Sequence, residues 1–138
     1  MPARRLVPKL EDGGLFSMDL SHLHLQTTDI KRTREFYETH FEFSLDEICE
    51  ETEIFLRNCE NFVLGLEQVA EPDALPGWFH LGFDAKSETT LQETYARMKN
   101  SGVPITRELR DLGDRVFFYC SDPQGHRIEI SWNRGKIQ

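Results

Sequence analysis

Five side chains in this sequence are of the types, and at the spacings, that site chemistry uses. Glu129 sits in HRIEI between Ile128 and Ile130. If the isoleucines face a core, the carboxylate points the other way, because side chains alternate along a strand. His22 and His24 stand two apart in SHLHLQTT and therefore share one strand face. His80 lies in WFHLGFDA and Tyr119 in RVFFYC. Two neutral imidazoles, His22 and His80, converging with the Glu129 carboxylate would make a two-histidine, one-carboxylate site for a divalent cation. Positions would stay open for water, oxygen or substrate, and the cation would act as a Lewis acid or gather substrate and dioxygen. His24 would exchange a proton, since histidine titrates near neutral pH. The plain alternatives are a backbone-bonded histidine for His22 or His80, a wet sheet face for Glu129, a substrate contact or carboxylate partner for His24, and core filling for Tyr119.

The elements that must position these residues follow from periodicity. SHLHLQTT alternates as a strand, and Asp29 caps the amphipathic IKRTREFYETHF. FSLDEICEETEIFLRN and NFVLGLEQV read as shorter strands, and AEPDALPG as a linker. The pattern then restarts. WFHLGFDA is a strand, Ser87 caps the helix ETTLQETYARMKNSG, which closes at Gly102, and VPITRELRD, RVFFYC and HRIEISW are three further strands. The order is β-α-β-β-β twice.

The copies align internally. His22 precedes Asp29 by seven residues and His80 precedes Ser87 by seven, while Tyr37 and Tyr95 each lie fifteen beyond their histidine. A repeat of this kind means that neither copy closes its own core alone. NFVLGLEQ lies over GHRIEISW, so Gly65 corresponds to Glu129. The repeat thus offers four equivalent corners, His22, His80, Glu129 and Gly65, the last with no donor.

The bulk numbers limit the partners. A chain of 138 residues with 38% hydrophobic and 29% charged residues is of one-domain size. With 16 basic against 24 acidic residues, it lacks the basic balance that nucleic acid or an anionic membrane demands. No apolar run reaches the roughly 18 residues of a membrane span, and MPARRLVPKLEDGGLF has no apolar signal region, so residues 1–17 read as a flexible leader. Residues 18–138 read as one domain, with modules at about 18–70 and 77–134. The three scattered cysteines, Cys49, Cys59 and Cys120, form no C-x-x-C pair and suit reduced thiols in the cytoplasm.

From Leu20 to Trp132 the chain resembles the vicinal-oxygen-chelate superfamily, which includes glyoxalase I, extradiol dioxygenases, and the fosfomycin and bleomycin resistance proteins. The resemblance rests on HLHLQTTDIKRTREFYETHFEF with His22, FHLGFD with His80, and YCSDPQGHRIEI with Tyr119 and Glu129. It implies an α+β fold in which two βαβββ modules form a cup-shaped mixed sheet. It implies metal ligation by His22, His80 and Glu129, with Tyr119 beside the metal. It further implies a homodimer with shared active sites, uniting His22 of one chain with His80 and Glu129 of the other. The expected function is metal-dependent action on a small organic molecule, first an extradiol-type or related dioxygenase with Fe(II) or Mn(II). A glyoxalase-like lyase or isomerase, or a thiol transferase of the fosfomycin-resistance kind, using Ni, Zn or Mn, is the alternative, and a metal-free binder of the bleomycin-resistance type the third. Glyoxalase I-like members carry a fourth ligand, a glutamate, where Gly65 stands, with Glu67 two residues away.

Outside the site, His40 is expected to complement the dipole at the end of the first helix, and His126, beside a turn, to be solvated. The phenylalanines are expected mainly in the core, with two or three lining an apolar pocket. The run DEICEETE reads as a charged hairpin edge that discourages aggregation.

Overall fold

A computed structural model describes residues 17–135. The leader expected over 1–17 lies, except for Ser17, outside the described residues. The first module runs β1 (His22–Thr27), α1 (Ile30–Phe41), β2 (Ser44–Glu50), β3 (Glu53–Arg57) and β4 (Val63–Gln68). The second runs β5 (Leu81–Asp84), α2 (Glu88–Asn100), β6 (Ile105–Asp111), β7 (Arg115–Ser121) and β8 (Arg127–Asn133). The order β-α-β-β-β occurs twice, as the pattern requires.

Each module makes one four-stranded sheet, β1-β4-β3-β2 and β5-β8-β7-β6. The first and last strands of each module pair in parallel and the others antiparallel, so the two sheets are copies in topology as well as in sequence. Both helices start where a side-chain oxygen takes a free backbone N–H. Asp29 accepts from the Arg32 amide and Ser87 from the Thr90 amide. Beyond α2, Gly102 adopts φ +81°, a conformation that favours glycine, and the Val103 N–H returns to the Met98 carbonyl at 3.0 Å.

One face of each sheet packs against the helices. Leu25, Leu56, Leu64 and Leu66 from the first sheet and Val116, Phe118, Ile128 and Ile130 from the second join Tyr37, Leu91 and Met98 in one apolar cluster. The opposite faces carry His22, His24 and Gln26 in one module and Tyr119, Arg127 and Glu129 in the other, fixed there by alternation. The modules meet through side chains. Phe41 stacks on Phe83 with centroids 3.9 Å apart. The Tyr37 hydroxyl donates to Asp122 Oδ2 at 2.8 Å, and the Thr28 N–H donates to Gln124 Oε1 at 2.8 Å.

Two expectations outside the site are corrected here. His126 is not solvated: its ring stands 2.6 Å from Asp122 Oδ2, with only 9% of the side chain exposed, because the 122–126 turn folds it back over that carboxylate. His40 stands in the last turn of α1, as expected, but its surroundings disfavour the charge that would complement the dipole. Its ring lies against Phe36 with Nδ1 buried and unpartnered, and burial, aided by the Arg97 charge, pushes its pKa down. Among the described residues no helix is long and apolar enough to cross a membrane.

Candidate metal centre

In the second module the register brings donors together. Gly82 of β5 pairs with Glu129 of β8, and Tyr119 of β7 pairs with Glu129 from the other side. His80 immediately precedes β5, and its Nε2 stands 3.5 Å from Glu129 Oε2. The Tyr119 hydroxyl donates to the same Oε2, and the Tyr119 and His80 rings meet edge to face at 5.5 Å. Arg115 approaches Glu129 Oε1 at 3.9 Å. The Glu129 side chain is only 16% exposed while that of His80 is 38% exposed, so the pair opens to solvent on the imidazole side.

His80 Nδ1 lies 3.0 Å from the Trp78 carbonyl oxygen. A carbonyl only accepts, so Nδ1 carries the proton of this bond. In the neutral ring Nε2 then keeps its lone pair, the arrangement that metal-ligating histidines use. One bare imidazole nitrogen beside one carboxylate oxygen fits a divalent cation.

Tyr119 is held as a donor. Burial raises its pKa, the hydrogen bond and charge of Glu129 raise it further, and Arg127 and Arg107 oppose. Its proton goes to Glu129, a partner that sequence reasoning did not assign. Such a donor fixes the orientation of the carboxylate.

In the first module β1 and β4 align His24 with Gly65 and Gln26 with Glu67. The His24–Gly65 pair occupies the register place of Gly82–Glu129, with side chain and glycine exchanged. The fourth corner carries no donor, as the sequence expects. A Cβ at Gly65 would stand 3.0 Å from His24 Nδ1 and 3.1 Å from Phe55 Cε1, so a corner glutamate would need a small shift of those two side chains. Glu67 lies two register pairs beyond the corner, accepting from Gln26 Nε2 at 3.1 Å and standing 3.6 Å from His24 Nε2.

His22 is exposed on β1 with Ser21 Oγ 2.8 Å from its Nδ1. Within one chain, the structure brings His80, Glu129 and Tyr119 together, and pairs His24 with Glu67 separately on the first sheet. Among the described residues of a single chain, no three His, Cys, Asp or Glu side chains gather into a metal-holding group. Arg107, Arg115 and Arg127 were not singled out by type. The available signal for Arg115 and Arg127 was their alternation with Val116 and Ile128 on β7 and β8, whereas Arg107 lies on β6, whose register to β7 shifts on both sides of it.

The model of the family described as the Glyoxalase/Bleomycin resistance protein/Dioxygenase superfamily matches residues 19–130. Three solved structures are similar across their lengths. One, described as a possible glyoxalase from Bacillus cereus, is 28% identical, with 82% of this chain and 97% of that chain covered and a TM-score of 0.72. The fosfomycin resistance protein FosX from Listeria monocytogenes is 21% identical over 86% and 95% of the two chains, TM-score 0.73. Lactoylglutathione lyase from Agrobacterium tumefaciens is 17% identical over 83% and 92%, TM-score 0.67. The last two likenesses concern the fold alone. None of the curated proteins matches the chain.

Proposed function

Because the chain belongs to the glyoxalase/bleomycin resistance/dioxygenase superfamily, we propose that it is a divalent-metal enzyme acting on a small organic molecule with adjacent oxygens. The reaction assigned first is of the extradiol or a related dioxygenase type, with Fe(II) or Mn(II). The observation that carries the metal reading is the His80 Nε2–Glu129 Oε2 approach of 3.5 Å, with His80 Nδ1 already committed to a carbonyl. When bound, the ion supplies Lewis-acid polarisation and a common point for substrate oxygens.

The third ligand in this reading is His22 of a second copy, laid over the second-module sheet to complete a shared cup, so the working unit is a homodimer. Tyr119 keeps Glu129 oriented. His24, beside Glu67, moves a proton to or from a substrate oxygen. The donor-free corner at Gly65 supports a set of three protein donors, which leaves positions free as dioxygen chemistry requires.

A lyase, isomerase or thiol transferase using Ni, Zn or Mn is the second reading, supported by the 28% identity to the possible glyoxalase. Anaerobic purification followed by elemental analysis tests the metal assignment. We expect about one metal per chain, lost in His22→Ala, His80→Ala and Glu129→Ala. Variants that retain full metal overturn it. Oxygen uptake with a catechol panel then divides the readings: none, with turnover of a glutathione hemithioacetal, selects the second.

A further inference from the structure

Between the second sheet and the segment that joins the modules lies a cleft of about 480 Å³, a size that suits a small organic ligand. Its floor is the outer part of β6–β8 and its roof is the segment that joins the modules. Leu75, Pro76 and Phe79 give the roof an apolar lining, while Arg107, Ser121 and Arg127 present polar groups from below.

The two guanidiniums are held in place before any ligand arrives. Arg107 pairs with Tyr119 across β6 and β7, and its Cζ stands 5.4 Å from the Tyr119 ring centroid. Arg127 stands 4.4 Å from the same centroid, and its Nη1 donates to the Gly77 carbonyl at 3.2 Å. Both contacts lie within the range of cation–π attraction. They leave most of the ten guanidinium N–H bonds of the pair without a protein acceptor.

These arginines also lack counter-charges. In a chain with eight more acidic than basic residues, Arg34, Arg57, Arg115 and Arg134 each have a carboxylate within 4 Å. Among the described residues Arg107 and Arg127 form no such pair, and neither do Arg32, Arg97 and Arg110. One carboxylate, Asp73, does line the cleft. Two positive charges against one leave it an anion-attracting surface in an otherwise acidic protein.

We propose that this cleft binds the oxyanion group of a small organic acid, a carboxylate or phosphonate, through Arg107 and Arg127, with its apolar body under Leu75 and Phe79. Guanidinium forks match both oxyanions. Tyr119 links the cleft to the metal pair, since the ring that carries the cations also holds the hydroxyl bonded to Glu129. The inference therefore gives a substrate class to the site proposed above, and rests on that reading for its catalytic meaning alone.

The test uses metal-free, full-length protein, so that it is independent of the metal assignment. Phenylphosphonate and benzoate are titrated calorimetrically into wild type, Arg107→Gln, Arg127→Gln and Arg32→Gln, an exposed helix arginine. We expect saturable binding of one anion per chain, weakened by added salt. Each cleft substitution should reduce affinity roughly tenfold or more, as loss of a charge-assisted bond implies, and Arg32→Gln should leave it unchanged. Arg107→Lys, which keeps the charge without the fork, should fall between wild type and Arg107→Gln. Circular dichroism accompanies every variant, and a misfolded Arg127→Gln is replaced by Arg127→Lys. Binding of the phosphonate alone, or of benzoate alone, assigns the oxyanion. Absence of saturable binding of either anion, or equal affinity in wild type and both glutamine variants, overturns the proposal even if the metal is present.

Discussion

Replacing Tyr37 by phenylalanine removes one oxygen from the seam between the modules and keeps the ring. That oxygen belongs to the first module and donates to Asp122 Oδ2 of the second at 2.8 Å. Both residues are essentially sealed, at 0% and 3% exposure, so no water can replace the lost donor without opening the core. Burial, with the Asp122 charge and hydrogen bond adding to it, raises the Tyr37 pKa well above the ordinary tyrosine value, so the hydroxyl remains a donor. Asp122 keeps the backbone N–H groups of Gln124 and His126 and the His126 ring, so its carboxylate is weakened in support, not abandoned. A buried hydrogen bond to a charged group contributes about 1.5–3 kcal/mol. For a domain of this size, ~2 kcal/mol corresponds to a fall in Tm of about 8 °C. Urea denaturation and thermal melting of Tyr37→Phe, Asp122→Asn and the double variant measure the loss and its coupling. A single-variant shift below about 2 °C, or strictly additive effects, would refute the reasoning.

Two further outcomes follow from burial and charge. Cys120 is buried and its thiol is pushed up to about 12, whereas Cys49 and Cys59 are exposed. A chromogenic disulfide reagent should therefore titrate two thiols in the native protein and the third only in denaturant, and three fast thiols would contradict the core assignment. His40 is held toward its neutral form. Its contribution to stability is present above the ordinary histidine value of about 6.5 and is lost as pH falls below it, where the unfolded chain takes up a proton that the folded chain resists. The denaturation midpoint of wild type should fall more than that of His40→Gln between about pH 7.5 and 5.5, and equal falls would contradict it.

The repeated architecture was legible because alternation, caps and the spacing of His22 and His80 from them are local properties, and the two parallel strand pairs bear out the alignment of Gly65 with Glu129. That the Gly65 corner lacks a donor was legible, but its crowding was not. The crowding depends on His24 and Phe55, which arrive from strands on either side of β4, and no spacing along the chain reports that. His126 and His40 were misread for a related reason. A turn and a helix end are usually wet, but here Asp122 and the Phe36 ring cover them. The bond between Tyr119 and Glu129 was within reach, since residues flanking a tight hairpin face one another across it. The cleft was only partly so, because its roof is loop backbone whose path is set by tertiary contacts such as the Gln26 Oε1 bond to the Asp73 amide.

The carbonyl of Trp78 ties the module-joining segment to the imidazole of His80. A peptide group that fixes a proton on one ring nitrogen also fixes which nitrogen faces outward. The stretch that spans the duplicated halves thus sets a chemical state as well as a distance. Displacing Trp78 would take that carbonyl away and free the ring nitrogen, with every other side chain left intact.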